Sequence, residues 1–293
     1  MTNARELLNI IKTELSPVGY LRSLNMEPFT WQQEALDPTV RRLLLMCARQ
    51  AGKSTVVAGK ACWTAKNFPY SVTLIIAPTE RQSKEVMKKI EIFFSLDQTV
   101  HLKTDSTFEK QLEENLSRIV ALPGSEKTVR GYSAPRMIII DEAAYVLDET
   151  YRAVRPMMTD ADTELVMMST PNGKRGFFYN AWQSSGPWKK IIVRAPADIR
   201  EGQLTEPLES EERYAQRMRE QGIHGYYSPR HKMHEMQEEL GEIGELSFRE
   251  EYLLEFIDEA GSLFPSVYIE AARKEVETLY GVSNRKRIDC LEI

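Results

Sequence analysis

The stretch LLLMCARQAGKST, residues 43–55, decides the fold because it joins an apolar run to a polar turn and a helical pattern. The apolar run predicts a buried strand, and the pattern from Lys53 to Lys66 predicts a helix. A polar turn between a strand and a helix is the context of a phosphate-binding loop, whose backbone N–H groups bind phosphate oxygens. The general GxxxxGKS/T pattern has glycine where this chain has Cys47, so the pattern is met only in part.

The residues of this loop have distinct predicted roles. The Lys53 ammonium reaches the β and γ phosphates of ATP, and the Ser54 hydroxyl ligates Mg²⁺. Arg49 lies inside the loop and would neutralise charge on its own nucleotide. The nucleotide-binding residues predicted from the loop are Gln50, Ala51, Gly52, Lys53, Ser54 and Thr55.

A second motif, MIIIDE at residues 137–142, places two acids at the end of an apolar strand. Ligands bind at the carboxyl ends of strands in open α/β sheets, so we expect both acids beside the nucleotide. Asp141 is predicted to hold Mg²⁺ through water, and Glu142 to polarise the water that attacks the γ-phosphate. The alternative is a strand that ends in a solvated acidic turn, which the upstream phosphate loop disfavours.

Further apolar runs without alternation predict strands that are buried on both faces. They lie at residues 72–77, 119–122, 165–169 and 191–193. Helical patterns between them predict crossovers over a mostly parallel sheet, so residues 1–195 are interpreted as an α/β domain. Residues 196–293 are charge-rich, with helical patterns at 209–220 and 233–256, and are interpreted as a small helical subdomain.

Composition excludes several classes of protein. With 38 basic and 43 acidic residues among 293, the net charge is −5, so nucleic acid would bind at a local patch. The three cysteines form no CxxC pair, which argues against a disulfide framework or a zinc ribbon and fits a reducing cytosol. No apolar run approaches the roughly 20 residues of a membrane span.

Together these motifs resemble the large terminase subunit, the ATPase that packages DNA into viral capsids. The resemblance covers roughly residues 25 to 265 and rests on RQAGKS at 49–54, STPNG at 169–173, GFFY at 176–179 with Trp182, EYLLEF at 251–256 and Phe264-Pro265. It implies a P-loop fold of the additional-strand, catalytic-glutamate type. It also implies Mg²⁺-dependent ATP hydrolysis that translocates double-stranded DNA into a procapsid.

The resemblance further implies partners and a location. The chain is expected to assemble into a homo-oligomeric ring, with a pentamer preferred, and to be a monomer when alone. The ring would dock on a portal and work with a small terminase subunit in the host cytoplasm, without membrane contact.

Trp31 and Gln32 precede the first core strand, where an aromatic face and an amide can recognise adenine. Terminases carry a Trp-Gln pair at this point and use the glutamine to select adenine, which favours Gln32 over Gln33. The alternative is that Trp31 is a core anchor and Gln32 is merely exposed.

Ser169 and Thr170 end an apolar strand as Asp141 does, so their hydroxyls are expected beside the γ-phosphate, where they would sense its presence. In the family this motif couples hydrolysis to movement. The alternative is a turn that caps the next helix.

Two arginines are candidates to neutralise the charge that develops on the transferring phosphoryl group, namely Arg49 and Arg130. Arg130 lies 141 − 130 = 11 residues before Asp141. In related ring-forming terminases, an arginine at this spacing enters the site of a neighbouring subunit. The alternative is a surface arginine in a turn before a strand.

Four basic residues are candidates for contact with DNA phosphates, which adds salt-dependent and sequence-independent affinity. Lys84 and Lys88 fall on one face of the helix predicted after the second strand, and Lys174 and Arg175 lie beside the STPNG motif. The alternative is an ordinary solvated surface.

Full terminase large subunits continue into a nuclease domain that holds two metal ions with acidic residues. Beyond Phe264 only 293 − 264 = 29 residues remain, and Asp289 is their sole aspartate. We therefore expect no nuclease from this chain, with the cutting domain either encoded separately or missing from a longer protein.

Two rival functions stay open at this stage. A helicase-like remodeller is favoured by the DEAA sequence at residues 141–144 and by the upstream Trp31-Gln32, although a second motor domain is lacking. The rival from a different class is a scaffold that binds the nucleotide but does not hydrolyse it. Glu142 would be dispensable in such a protein.

Overall fold

The computed structural model describes residues 15–123, 129, 131, 132, 134–159 and 162–257. In chain order its helices and strands are α1 Pro17–Ser23, α2 Thr30–Ala35, β1 Arg42–Cys47, α3 Lys53–Asn67, β2 Val72–Ala77, α4 Glu80–Leu96, β3 Leu102–Asp105, β4 Glu109–Leu112, β5 Arg118–Pro123, β6 Met137–Asp141, α5 Asp148–Val154, β7 Glu164–Ser169, α6 Gly176–Gln183, β8 Lys189–Arg194, β9 Asp198–Arg200, β10 Gln203–Thr205, α7 Glu211–Glu220, β11 Ile223–Tyr227, α8 Met233–Ile243 and α9 Glu245–Glu251. Short 3₁₀ turns follow β6 and α5.

The main sheet has nine strands in the order β11-β8-β1-β7-β6-β2-β5-β4-β3. The strands from β11 to β5 pair in parallel, and β4 and β3 continue the sheet as an antiparallel hairpin. β7 lies between β1, which leads into the phosphate loop, and β6, which carries the two acids. This position of β7 confirms the predicted additional-strand α/β fold.

Both faces of the parallel sheet are covered by helices. Leu43 and Leu45 of β1 pack in a cluster with α1, α3 and α4, whereas Leu44 and Met46 pack with α6 and α7. β6 and β7 are buried along their whole length. Because neither face meets water, the strand sequences show no alternation of apolar and polar residues.

The region after residue 195 differs from its prediction, because it is not solely helical. β11 pairs in parallel with β8 and extends the main sheet, and β9 and β10 form a separate antiparallel pair. The helical pattern predicted over residues 233–256 is divided at Gly244, whose φ of 79° ends α8. The sequence patterns also did not predict β3, β4 or α5. Within the described ranges, no helix has both the length and the apolar character needed to cross a bilayer.

Lys60 of α3 is a buried cation, 1% exposed. Its ammonium forms an ion pair with Glu164 at the start of β7. It also donates hydrogen bonds to the carbonyl oxygens of Ala35 and Asp37, each at 3.2 Å. Burial raises the pKa of Glu164 although Lys60 opposes the shift. Lys60 therefore ties α3 both to the end of α2 and to β7.

We expect Lys60→Ala to lower the free energy of unfolding by about 3–5 kcal/mol, because it leaves the Glu164 carboxylate buried without its partner. The double variant Lys60→Met, Glu164→Leu replaces both charges with apolar groups and should recover most of that loss. Urea unfolding with comparison of m-values measures both. A double variant as unstable as Lys60→Ala would contradict the role given to the unpaired charge.

Candidate active site

The phosphate loop runs from β1 to the first residue of α3 and is held by main-chain hydrogen bonds. The Ala48 N–H donates to the Val193 carbonyl at 2.8 Å, and the Ala51 N–H donates to the Ala48 carbonyl at 3.2 Å. Gly52 has a left-handed φ of 103°, and a Cβ at this position would lie 3.2 Å from Gln32 Nε2. Glycine therefore suits both the backbone conformation and the close approach of a neighbouring side chain.

The two predicted acids lie at the end of β6, close to the loop. Glu142 adopts a left-handed conformation, with φ 47° and ψ 48°, and its N–H donates to Asp141 Oδ1 at 2.9 Å. The Lys53 ammonium donates to Glu142 Oε1 at 2.6 Å. This ion pair joins residues that are 89 positions apart in the chain. The left-handed backbone of Glu142 is itself typical of a functional site, because left-handed non-glycine residues cluster at such sites.

The charges of the site shift one another's pKa. Burial, together with the charge of Glu142, raises the pKa of Asp141 to about 6, although Lys53 opposes the shift. Burial disfavours the charged form of Lys53, but the carboxylates of Glu142 and Asp141 outweigh this effect and raise its pKa. Lys53 is therefore a cation at neutral pH, as phosphate binding requires.

Ser169, at the end of β7, lies beside Glu142. Its hydroxyl donates to Glu142 Oε2 at 3.4 Å and accepts the Ala144 N–H at 3.2 Å. Thr170 is buried and forms a side-chain hydrogen bond with Tyr145. The first turn of α6 is capped by Asp148, whose Oδ1 accepts the Phe177 N–H at 3.0 Å, so neither hydroxyl has the capping role considered as the alternative. Ser169 instead contacts the carboxylate predicted to act on water.

The strand order, the loop and the acids agree with a known family. A sequence model described as "Terminase large subunit, T4likevirus-type, N-terminal" matches residues 44–270. The chain belongs to this terminase large subunit family.

Relatives with curated descriptions and solved structures agree with the membership. The large subunit of the terminase from Thermus phage G20c is 26% identical over 178 residues, which are 54% of this chain and 37% of the relative. The solved ATPase domain of the Thermus phage P74-26 large terminase has a TM-score of 0.58 and 18% identity, over 81% of this chain and 97% of that one. A large terminase from a thermophilic bacteriophage, solved with ADP, has a TM-score of 0.52 and 10% identity, over 81% of this chain and 52% of that one. The chain thus shares their fold but spans well under half of the curated relative.

A cavity of about 1060 Å³ lies over the phosphate loop of this terminase chain. Its wall includes the loop, Glu142 and the segment 229–252, which we call the C-terminal wall. His231 Nε2 lies 2.7 Å from the Arg49 carbonyl oxygen, and Arg49 Nε pairs with Glu251 Oε2 at 2.9 Å. The C-terminal wall therefore contacts the loop directly.

Most residues predicted from the loop reach this cavity. Those that line it are Arg49, Gln50, Gly52, Lys53, Ser54 and Thr55. Ala51 is fully buried, so only its backbone can serve a ligand.

The adenine-reading pair is placed differently from its prediction. Trp31 is 1% exposed and packs in the core with α1 and α3. The prediction that its ring face is open to adenine is therefore wrong. The large ring fills the space beside the sheet that a smaller residue would leave empty. Gln32 Oε1 accepts the Phe29 N–H at 2.9 Å, while its Nε2 approaches Gly52. Recognition of adenine by Gln32 stays a prediction.

The lysines of α4 predicted to contact DNA are paired with acids. Lys84 pairs with Glu80 at 2.6 Å, and Lys88 pairs with Glu85 at 2.8 Å. This pairing is typical of a solvated helix surface, and their contact with DNA stays a prediction.

Three other predicted residues are not brought to the cavity by the described structure. Lys174 and Arg175 lie in the turn before α6, where Lys174 is half-buried and Arg175 is exposed. Arg130 lies outside the described residues. The roles predicted for all three stay predictions.

Sequence reasoning placed neither Lys89 nor Arg230 at the nucleotide, yet both line the cavity. Lys89 lies on α4 between the buried residues Val86 and Phe93, at helical spacing from each. A lysine within an apolar stripe was the available signal for it. Arg230 lies in the loop before α8, where no pattern distinguishes it from other surface arginines.

Proposed function

We propose that the chain is the Mg²⁺-dependent ATPase of a viral DNA-packaging motor, which hydrolyses ATP to move double-stranded DNA into a procapsid. The observation that carries this proposal is the 2.6 Å contact between Lys53 Nζ and Glu142 Oε1. The contact joins a phosphate-binding lysine to a carboxylate suited to polarise water, at the ends of β1 and β6. Membership of the terminase family supports the packaging role.

The ion pair indicates how ATP would arrange the site. The γ-phosphate and the Glu142 carboxylate compete for the single Lys53 ammonium, so phosphate binding releases Glu142 Oε1. Oε1 then accepts a hydrogen bond from the attacking water, while the Ser169 hydroxyl holds Oε2. The water gives up a proton to Glu142 as its bond to phosphorus forms and the bond to ADP breaks.

Ser54 and Asp141 would hold Mg²⁺, because both offer the oxygen donors that this ion prefers. The Asp141 carboxylate is buried, and its pKa is raised by burial, so an adjacent cation would offset the cost of its charge. Among the described residues there is no group of three or more His, Cys, Asp or Glu that could hold a metal. The pair Ser54 and Asp141 therefore suits an ion that takes its other ligands from phosphate and water. Mg²⁺ bound there would neutralise phosphate charge.

The family supports further assignments within this proposal. Thr170 acts with Ser169 in coupling hydrolysis to movement, and Arg130 enters the site of a neighbouring subunit. The working state is a homo-oligomeric ring, with a pentamer expected, on the portal of a procapsid in the host cytoplasm. A small terminase subunit is its partner, and we assign DNA cleavage to a nuclease domain separate from the described residues.

Phosphate release by the full chain, with and without duplex DNA and procapsids, tests the proposed function. We expect release to rise with DNA and procapsids and to fall to background in Lys53→Ala, because the phosphates lose their cation. Lys103→Gln is the control, since Lys103 is an exposed lysine of β3 outside the cavity. Wild-type hydrolysis by Lys53→Ala would overturn the proposal. Separation of the strands of a tailed duplex would favour a helicase-like function instead.

A further inference from the structure

Two cations of the cavity have no ion-pair partner among the described residues. Lys89 of α4 and Arg230 of the loop before α8 both line the cavity. The other lysines and arginines that line it are paired: Lys53 with Glu142, Arg49 with Glu251 and Lys232 with Glu235. The two solvated lysines of α4 pair with neighbouring acids as well. Lys89 and Arg230 thus differ from the surrounding cations in that no described carboxylate forms an ion pair with either of them.

Arg230 lies directly over the phosphate loop. A Cβ on Gly52 would stand 3.7 Å from Arg230 Cζ and 3.8 Å from its Nε. The guanidinium also lies 6.0 Å from the centroid of the Phe29 ring. These are van der Waals distances, so the guanidinium lies against the part of the loop whose N–H groups are expected to bind phosphate.

Lys89 approaches the site from α4. It follows the buried Val86 by three residues and precedes the buried Phe93 by four, so its stem leaves the apolar face of the helix. Burial lowers the pKa of Lys89, and Lys53 and Arg230 lower it further, whereas Asp141 opposes the shift. Lys89 therefore lies within electrostatic range of Lys53 and Arg230. Three cations that line one cavity favour the binding of an anion.

We propose that Lys89 and Arg230 are phosphate-binding residues that contact the phosphate chain of the nucleotide beyond its α-phosphate. This inference rests on the proposed ATPase function, because it adds two residues to the same site. A triphosphate carries more negative charge than the Lys53 ammonium alone neutralises. The Arg230 guanidinium can donate two parallel hydrogen bonds, and the Lys89 ammonium acts as a point charge.

The test compares ATP with AMP, each measured with Mg²⁺ by displacement of a fluorescent ATP analogue from the full chain. Lys89→Gln and Arg230→Gln are each expected to weaken ATP binding by about 10- to 100-fold, the effect of losing one hydrogen bond to a charged group. AMP binding should change by less than about threefold, because AMP lacks the β and γ phosphates. Lys89→Arg keeps the charge and should retain most of the ATP affinity.

Two exposed residues outside the cavity supply matched controls. Lys103→Gln on β3 and Arg219→Gln on α7 remove the same charges and should leave ATP binding unchanged. Thermal unfolding of each variant checks that the fold is intact.

The outcomes separate this inference from the proposed function. If Lys53→Ala loses ATP binding while Lys89→Gln and Arg230→Gln retain it, the inference alone is overturned. If all three variants bind ATP as the wild type does, the proposed function fails as well. Equal weakening of ATP and AMP would assign a merely structural role to the pair and would also overturn the inference.

Discussion

Glu142→Gln is expected to release phosphate about 10²- to 10⁴-fold more slowly than the wild type while binding ATP at least as tightly. The amide matches the carboxylate in shape but cannot accept the proton of the attacking water. Glu142 also holds Lys53 in an ion pair at 2.6 Å, so removal of its charge frees the ammonium for phosphate. Slow turnover with retained binding is the signature of a residue that acts in the transition state.

Two assays on one preparation of Glu142→Gln measure the two effects. Phosphate release in the presence of duplex DNA gives the rate of hydrolysis, and displacement of a fluorescent ATP analogue gives the affinity for ATP. Glu149→Gln is the control, because Glu149 is an exposed acid in the first turn of α5. Equal phosphate release by Glu142→Gln and the wild type would remove Glu142 from the mechanism. It would then favour a nucleotide-binding scaffold that does not turn over.

The buried strands could be predicted because their sequences record burial on both faces. The run at Val72–Ala77 coincides with β2 as observed, and the other predicted runs lie within or on strands of the sheet. β11 could not be predicted in this way, since its sequence IHGYY places glycine and histidine in an edge strand. β3 is short and half exposed, so no apolar run marks it.

The core of the site could be predicted because its residues follow strands in short motifs. The loop before α3 and the acids after β6 each consist of consecutive residues, so each could be identified from the sequence. The strand order then brings them together. Arg230 has no such motif, because its position depends on how the C-terminal wall meets the loop. Trp31 was predicted wrongly for a different reason: an aromatic residue that suits adenine also suits a core position, and Trp31 is buried.

Arg130→Ala is expected to lower DNA-stimulated hydrolysis by about 10³- to 10⁵-fold in assembled rings. An arginine at the γ-phosphate neutralises charge that develops as the phosphoryl group transfers. Of the two arginines predicted for this role, Arg49 is engaged by Glu251 at 2.9 Å, which favours an arginine supplied by a neighbour. Phosphate release by rings on procapsids with duplex DNA measures the loss.

Mixed assemblies of Arg130→Ala and Lys53→Ala subunits distinguish action on a neighbour from action within one subunit. Lys53→Ala subunits lack a working phosphate loop but carry Arg130, whereas Arg130→Ala subunits have the opposite defect. At equal amounts and random mixing, about a quarter of the interfaces in a ring pair an intact arginine with an intact loop. Those interfaces should hydrolyse ATP although neither variant does so alone. Mixtures as inactive as their components would contradict action on a neighbour, since an arginine that serves its own subunit cannot repair another.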